Sequence, residues 1–86
     1  MTFSVIWRLT ALQQLGQIRA AASDPVAVDR AAAFMDYMLR RVPRDMGEGR
    51  SPGFRLWYED VLGVFYRVDE INLRVDILFV APARRP

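Results

Sequence analysis

The sequence contains no cysteine and no histidine, and its 12 basic residues include no lysine, so all of them are arginine. Without cysteine the chain has no disulfide, thiolate nucleophile or zinc–thiolate site, which agrees with a reducing compartment. Without histidine it lacks the commonest general base and the commonest metal ligand. We therefore expect neither a metal nor a small-molecule cofactor.

The sequence also has no apolar run long enough to cross a membrane, and residues 1–9 are too short for a signal peptide. A length of 86 residues allows one domain, covering residues 1–86, and a hydrophobic content of 52% is enough for a packed core. The sequence predicts a cytoplasmic protein with no membrane partner.

Positive charge is present only in modest excess. The net charge of +2 does not by itself indicate nucleic acid. Arginine suits phosphate and stacks on bases, but a codon preference for arginine explains the same usage. The arginines therefore mark no site until their positions in the fold are considered.

Two helices are predicted in the first half of the chain. Thr10 and Gln13 have the spacing of a capping box, and the pair Asp24-Pro25 is typical of an N-cap followed by the first helical position. Pro43 ends the second helix. The apolar positions at helical spacing are Leu12, Leu15, Ile18 and Ala22 in the first helix, and Val28, Ala31, Ala32, Met35, Met38, Leu39 and Val42 in the second.

Four strands are predicted around these helices. Alternation of apolar residues over 3–7 indicates the first strand, and residues 43–53 read as a polar loop. Phe54–Glu59, Val61–Val68 and Leu73–Val80 follow with short turns, which favours an antiparallel meander. The fold class is α+β in the order β-α-α-β-β-β, a helical hairpin packed on one face of a mainly antiparallel four-stranded sheet.

Alternation divides the strand residues between two faces of this sheet. The set predicted to face the helices is Phe3, Val5, Trp7, Phe54, Leu56, Tyr58, Val64, Tyr66, Val68, Val75, Ile77 and Phe79. The set predicted on the open face is Arg55, Trp57, Glu59, Gly63, Phe65, Arg67, Arg74, Asp76 and Leu78. Such a face suits single-stranded RNA, a docked protein, or solvent with cross-strand charge pairs such as Arg67 with Asp76.

Four stretches follow the pattern of a known family over nearly the whole chain. They are Val5-Ile6-Trp7 with Ala11 and Leu15, Gly53-Phe54-Arg55, Val64-Phe65-Tyr66-Arg67-Val68-Asp69-Glu70, and Val75-Asp76-Ile77-Leu78-Phe79-Val80 followed by Ala83-Arg84. Together they resemble the RelE/ParE superfamily of type II toxin–antitoxin toxins, the plasmid stabilisation type.

The resemblance implies a small toxin held silent by a cognate antitoxin. RelE-like members cut mRNA on the ribosome, whereas ParE-like members block DNA gyrase and lack nuclease chemistry. RelE-like toxins carry an arginine two residues before the apolar-Tyr pair of the third strand, where this chain has Gly63, and some relatives place a histidine in the tail. mRNA cleavage is the leading prediction, with gyrase inhibition or a non-toxic protein-binding relative as alternatives.

Site residues are predicted for these functions. In RNA cleavage the ribose 2′-OH attacks the adjacent phosphate, so a base and charge stabilisers are needed but no metal. The predicted catalytic residues are Arg55, Arg67 and Arg84 as stabilisers and Glu48 as the base, with Glu59 as an alternative base. The predicted RNA- or partner-binding residues are Trp57, Glu59, Phe65, Arg74 and Arg85.

Overall fold

The structure, a computed structural model, describes residues 2–83. The elements in chain order are β1 (Ser4–Trp7), α1 (Leu9–Ala21), α2 (Pro25–Leu39), β2 (Glu48–Ser51), β3 (Phe54–Glu59), β4 (Leu62–Asp69) and β5 (Arg74–Pro82). The predicted site residues Arg84 and Arg85 lie outside the described residues. Within the described part of the chain, no helix is long and apolar enough to span a membrane.

Helix α2 begins as the sequence predicts, but it ends at Leu39, so Val42 lies outside it and Pro43 is not the residue that ends it. The Asp24 carboxylate accepts a hydrogen bond from the Ala27 N–H at 3.2 Å, and Pro25 occupies the first turn. Its buried residues, Val28, Ala31, Met35 and Leu39, recur at helical spacing. The face of α2 that packs on the sheet could therefore be read from periodicity alone.

Helix α1 begins earlier than predicted. Its N-cap is Arg8, which makes no side-chain cap hydrogen bond, so the capping box proposed for Thr10 and Gln13 is wrong. Ala11 is its fully buried position, whereas Leu12 is 50% exposed. The small side chain of Ala11 lets α1 approach the sheet closely. The face of α1 that packs on the sheet is therefore centred on Ala11 and not, as the sequence predicted, on Leu12.

The sheet has five strands in the order β1-β5-β4-β3-β2, with β1 parallel to β5 and the other pairs antiparallel. The prediction of four strands missed β2, because its sequence Glu-Gly-Arg-Ser shows no apolar alternation. All four residues of β2 are exposed at the sheet edge. A charged, short edge strand of this kind discourages pairing with other chains.

A two-residue turn sets the faces of β3. Glu59 pairs with Leu62 across Asp60-Val61, and Asp60 adopts the left-handed conformation with φ of 53°. Arg55 therefore pairs with Tyr66, and Trp57 with Val64. Since paired residues point to the same side, the predicted faces of β3 are inverted throughout.

A bulge in β5 causes a second correction. Phe65 pairs with Phe79 and Tyr66 pairs with Ile77, so Leu78 is an extra residue. Phe79 was predicted to face the helices but lies on the open face with 52% exposure. The core lies between the helices and the opposite face of the sheet, where Val64, Tyr66, Val75 and Ile77 are fully buried.

Candidate functional site

Arg55 lies on the helix-covered face, contrary to the prediction, and holds the loop that precedes β2. Its Nε donates to the Met46 carbonyl at 2.8 Å and its Nη2 to the Gly47 carbonyl at 3.1 Å. The Tyr66 hydroxyl lies 2.7 Å from the Pro43 carbonyl oxygen and 3.1 Å from that of Met46. Burial raises the pKa of Tyr66, and the charge and hydrogen bond of Arg55 oppose that rise.

Gly47 completes this loop because no other residue fits there. Its φ is 59°, and an added Cβ would overlap the carbonyl oxygen of Leu56 and lie 2.7 Å from the Cα of Trp57. The backbone of β3 cannot yield as a flexible side chain would. Arg55 and Gly47 together fix where β2 joins the sheet.

Trp57 also lies on the helix-covered face and is 6% exposed. Its ring is tilted at 58° to that of Phe34 in α2, with centroids 6.3 Å apart. The prediction that Trp57 is a binding residue on an open face is therefore corrected, since its ring is part of the core. Glu59, which also lies on that side of β3, is half-buried at the strand end.

The open face carries a row of three aromatic rings, here called the phenylalanine ridge: Phe54, Phe65 and Phe79. The rings of Phe54 and Phe65 stack with centroids 5.6 Å apart at 10°, and those of Phe65 and Phe79 stack at 6.3 Å and 30°. The ridge crosses β3, β4 and β5. Only its member Phe65 was predicted to lie on this face.

Tyr58 extends the aromatic surface beside the ridge and is 58% exposed. Its ring lies over Gly63 on the neighbouring strand. A Cβ built at Gly63 would be 2.6 Å from the Tyr58 Cδ1 atom. Tyr58 thus fills the space that a side chain at position 63 would need.

Three guanidinium groups, here called the arginine cluster (Arg8, Arg67 and Arg74), converge on Asp76 at the other end of the open face. Arg67 Nη2 and Arg74 Nε each donate to Asp76 Oδ2 at 3.2 Å, and Arg8 Nη2 lies 2.6 Å from Oδ1. The predicted Arg67–Asp76 pair is confirmed. The Asp76 side chain is only 1% exposed, because the arginine side chains cover it.

The cluster holds Asp76 in its ionised form. Burial alone would raise the pKa of Asp76, but the hydrogen bonds from Arg67 and Arg74 and the charges of Arg8 and Arg74 lower it below its usual value. The Arg8, Arg67 and Arg74 side chains are 49%, 44% and 31% exposed, so between a third and a half of each side chain still meets solvent. The cluster therefore presents positive charge while one buried carboxylate orders it.

The three members of the predicted catalytic set that lie within residues 2–83 do not converge. Glu48 is exposed, pairs with Arg50 at 3.1 Å and lies opposite Leu56, on the open face. Arg67 shares that face, but Arg55 is turned to the opposite one. Among the described residues, no group of acidic side chains is placed to hold a metal ion.

Residue patterns alone did not single out several members of the open face. Arg8 was missed because it follows the end of β1, and Tyr58 and Phe79 were assigned to the core. Arg74 and Asp76 were predicted on the open face and lie there. A cavity of about 460 Å³ lies elsewhere, between the end of α1, the start of α2 and the end of β5, and none of the predicted site residues that the structure describes lines it.

Neither a protein-family model nor a curated protein sequence matches the chain. Solved structures do. One is a chain of the toxin-antitoxin complex RelBE2 from Mycobacterium tuberculosis, with a TM-score of 0.80 and 21% identity, covering 96% of this chain and 100% of that chain. Another belongs to the chromosomal ParDE TA system from P. aeruginosa, with a TM-score of 0.64 and 16% identity, covering 95% and 97%.

A third similar structure is TrmO from Pseudomonas aeruginosa, with a TM-score of 0.61 and 22% identity. The similarity covers 93% of this chain but 35% of that chain. These similarities establish the fold: the chain has the RelE/ParE fold that the sequence resemblance predicts.

Proposed function

We propose that this chain is the toxin component of a type II toxin–antitoxin module, and that it acts by binding a protein target instead of cleaving RNA. Similarity over 96% of this chain to a chain of a toxin–antitoxin complex supports the toxin role and a cognate antitoxin as partner. Fold alone does not decide chemistry, so the mode of action depends on the residues of the site.

The observation that carries the binding mode is Gly63 beneath Tyr58. The resemblance places a catalytic arginine of RelE-like nucleases at this position. Here the position has no side chain, and the Tyr58 ring occupies the adjacent space. Arg55, one of the three predicted stabilisers, uses two of its N–H groups on backbone carbonyls. The resemblance to ParE-like toxins makes DNA gyrase the candidate target.

Ribosome-associated mRNA cleavage is the second candidate, and one observation favours it. The Arg67 and Arg74 side chains are 44% and 31% exposed, and Arg67 lies opposite Phe54 in β3, so a phosphate could reach them. In this case Arg67 and Arg84 would stabilise the transition-state charge and Glu48 would act as the base. Arg55 could stabilise charge only after breaking its hydrogen bonds to the Met46 and Gly47 carbonyls.

Pulse-labelling of protein and DNA synthesis within minutes of inducing the chain alone tests both candidates. We expect DNA synthesis to fall first, and purified protein to inhibit supercoiling by gyrase while leaving mRNA intact. An early fall in translation that Arg67→Ala abolishes and Arg19→Ala preserves would refute the binding mode. Arg19 is a suitable control because it is similarly exposed and pairs with Asp29 on the helices. Normal synthesis of both polymers would refute the toxin role.

A further inference from the structure

We propose that the open face of the sheet is the surface that docks the protein target, and that the target segment it accepts is both acidic and apolar. This inference rests on the proposed binding mode and adds the place of binding and the chemistry of the partner. Both helices pack on the opposite face, and the exposed large apolar residues of the open face include Tyr58, Phe79 and Ile6. Exposed apolar patches of this kind mark contact sites more often than solvated surface.

The geometry of the phenylalanine ridge favours a protein over single-stranded nucleic acid. Base-binding platforms offer the flat faces of aromatic rings to the bases. In the ridge, both faces of Phe65 are covered by Phe54 and Phe79, with centroids 5.6 and 6.3 Å away. Phe65 therefore offers mainly its ring edge, which is apolar and carries the positive part of the ring quadrupole.

The arginine cluster adds charge of the same sign at one end of the ridge. Arg67 and Phe65 are two residues apart on β4, so their side chains share the face. Three guanidinium groups face two carboxylates, Asp76 and the more distant Asp69, whose Oδ2 lies 3.7 Å from Arg74 Nη2. Each guanidinium has five N–H donors, so donors remain for a ligand, and their fork geometry matches a carboxylate.

Asp76 preorganises the arginine cluster for binding. Because it is buried and accepts from Arg67 and Arg74, it holds these side chains before any partner arrives. Ordering arginine in advance reduces the entropy lost on binding. Adjacent strands lie about 4.8 Å apart, so a ridge across three strands spans roughly 10 Å, the scale of a short segment. Carboxylates near the cluster and apolar side chains on the ridge complement this surface.

Selection of a displayed library of short random peptides on the purified protein tests this inference without requiring toxicity. We expect enrichment of peptides that combine Asp or Glu with aromatic or aliphatic residues. Phe79→Ala should weaken a selected peptide by about 30-fold, the effect of a central aromatic contact. Arg67→Ala should weaken it by about 2- to 5-fold and reduce its salt dependence, because the arginine is half-exposed.

Matched controls lie on the helices. Tyr37 is 53% exposed, close to the 52% of Phe79, so Tyr37→Ala should leave affinity unchanged. Arg19→Ala is the charge control, since Arg19 is 52% exposed and pairs with Asp29. Thermal unfolding of every variant separates lost contacts from lost fold, and Arg67→Glu supplies a second test if Phe79→Ala is unstable.

Several results would overturn the inference. Selected peptides that lack acidic residues, or whose binding survives Phe79→Ala and Arg67→Glu, would show that this surface is not the docking site. Tighter binding of a labelled single-stranded RNA that these variants abolish would assign the face to nucleic acid. Self-association abolished by Phe79→Ala would assign it to a second copy. Enrichment of acidic and apolar peptides whose binding depends on Phe79 and Arg67, without inhibition of gyrase or of growth, would instead refute only the proposed function.

Discussion

Replacing Asp76 by asparagine should destabilise the folded protein by about 1 to 2 kcal/mol. Charged hydrogen bonds of buried groups contribute about 1.5 to 3 kcal/mol each, and Asp76 accepts two of them. The arginine side chains are between a third and a half exposed and regain water when released, so the contribution of each ion pair is discounted toward the surface value of about 0.2 to 1 kcal/mol. In a domain of this size the loss corresponds to roughly 4 to 16 °C in Tm.

The pH dependence of this loss identifies its cause. The pKa of Asp76 is lower in the folded than in the unfolded chain. Its charge therefore stabilises the fold fully above the unfolded value, about 3.9, and this contribution disappears as the pH falls through the lower folded pKa. The difference between wild type and Asp76→Asn should be constant from neutral pH to about 4 and shrink below it.

Thermal and urea unfolding followed by circular dichroism across this pH range would measure the difference. Asp29→Asn is the control, because Asp29 makes an exposed pair with Arg19 and its loss should change stability by less than about 0.5 kcal/mol. An Asp76→Asn protein as stable as wild type at neutral pH, or a deficit that persists in acid, would refute the reasoning.

Three further substitutions test the loop and the core by urea unfolding. Gly47→Ala should destabilise by more than about 2 kcal/mol, since strain at positive φ adds to a clash with backbone, whereas Gly16→Ala, in an open helical position, should stabilise by about 0.5 to 1 kcal/mol; equal effects would contradict the close approach at Gly47. Tyr66→Phe should cost about 1 to 2 kcal/mol because the Pro43 carbonyl loses its hydrogen bond, while the Met46 carbonyl keeps that of Arg55; an unchanged midpoint would mean that the loop is held without Tyr66. Trp57→Ala should cost about 3 to 5 kcal/mol as a core truncation, whereas Tyr58→Ala should cost much less, and the reverse order would show that β3 has the originally predicted faces.

The helices and strand positions could be predicted because their signals are local. The Asp24-Pro25 start of α2 depends on residues adjacent in sequence, and the predicted bounds of β3, Phe54–Glu59, are those of the structure. The capping box at Thr10 failed because the Arg8 backbone already provides the start of α1. Strand β2 was missed because pairing with β3, not its own composition, orders it.

The faces of the sheet could not be predicted from alternation alone. The length of the turn between β3 and β4, two residues, decides which face of the sheet Arg55 and Trp57 occupy. One extra residue in β5, Leu78, moves Phe79 to the open face. Both effects depend on how neighbouring strands pair, and the period-two pattern within one strand contains no information about pairing. The charged residues of the candidate site, Arg67, Arg74 and Asp76, were consequently predicted on the correct face. Most of its aromatic residues were predicted on the wrong face.

The parallel pairing of β1 with β5 has a consequence for how the protein forms during synthesis. Ser4 pairs with Arg74, so the first strand made waits for the last strand of the described chain, while the hairpin of β3 and β4 can close much earlier. Contacts so distant in sequence slow folding. Until β5 inserts between β1 and β4, the ridge lacks Phe79 and the arginine cluster lacks both Arg74 and its carboxylate. A nascent chain interrupted before β5 would therefore complete neither the phenylalanine ridge nor the arginine cluster.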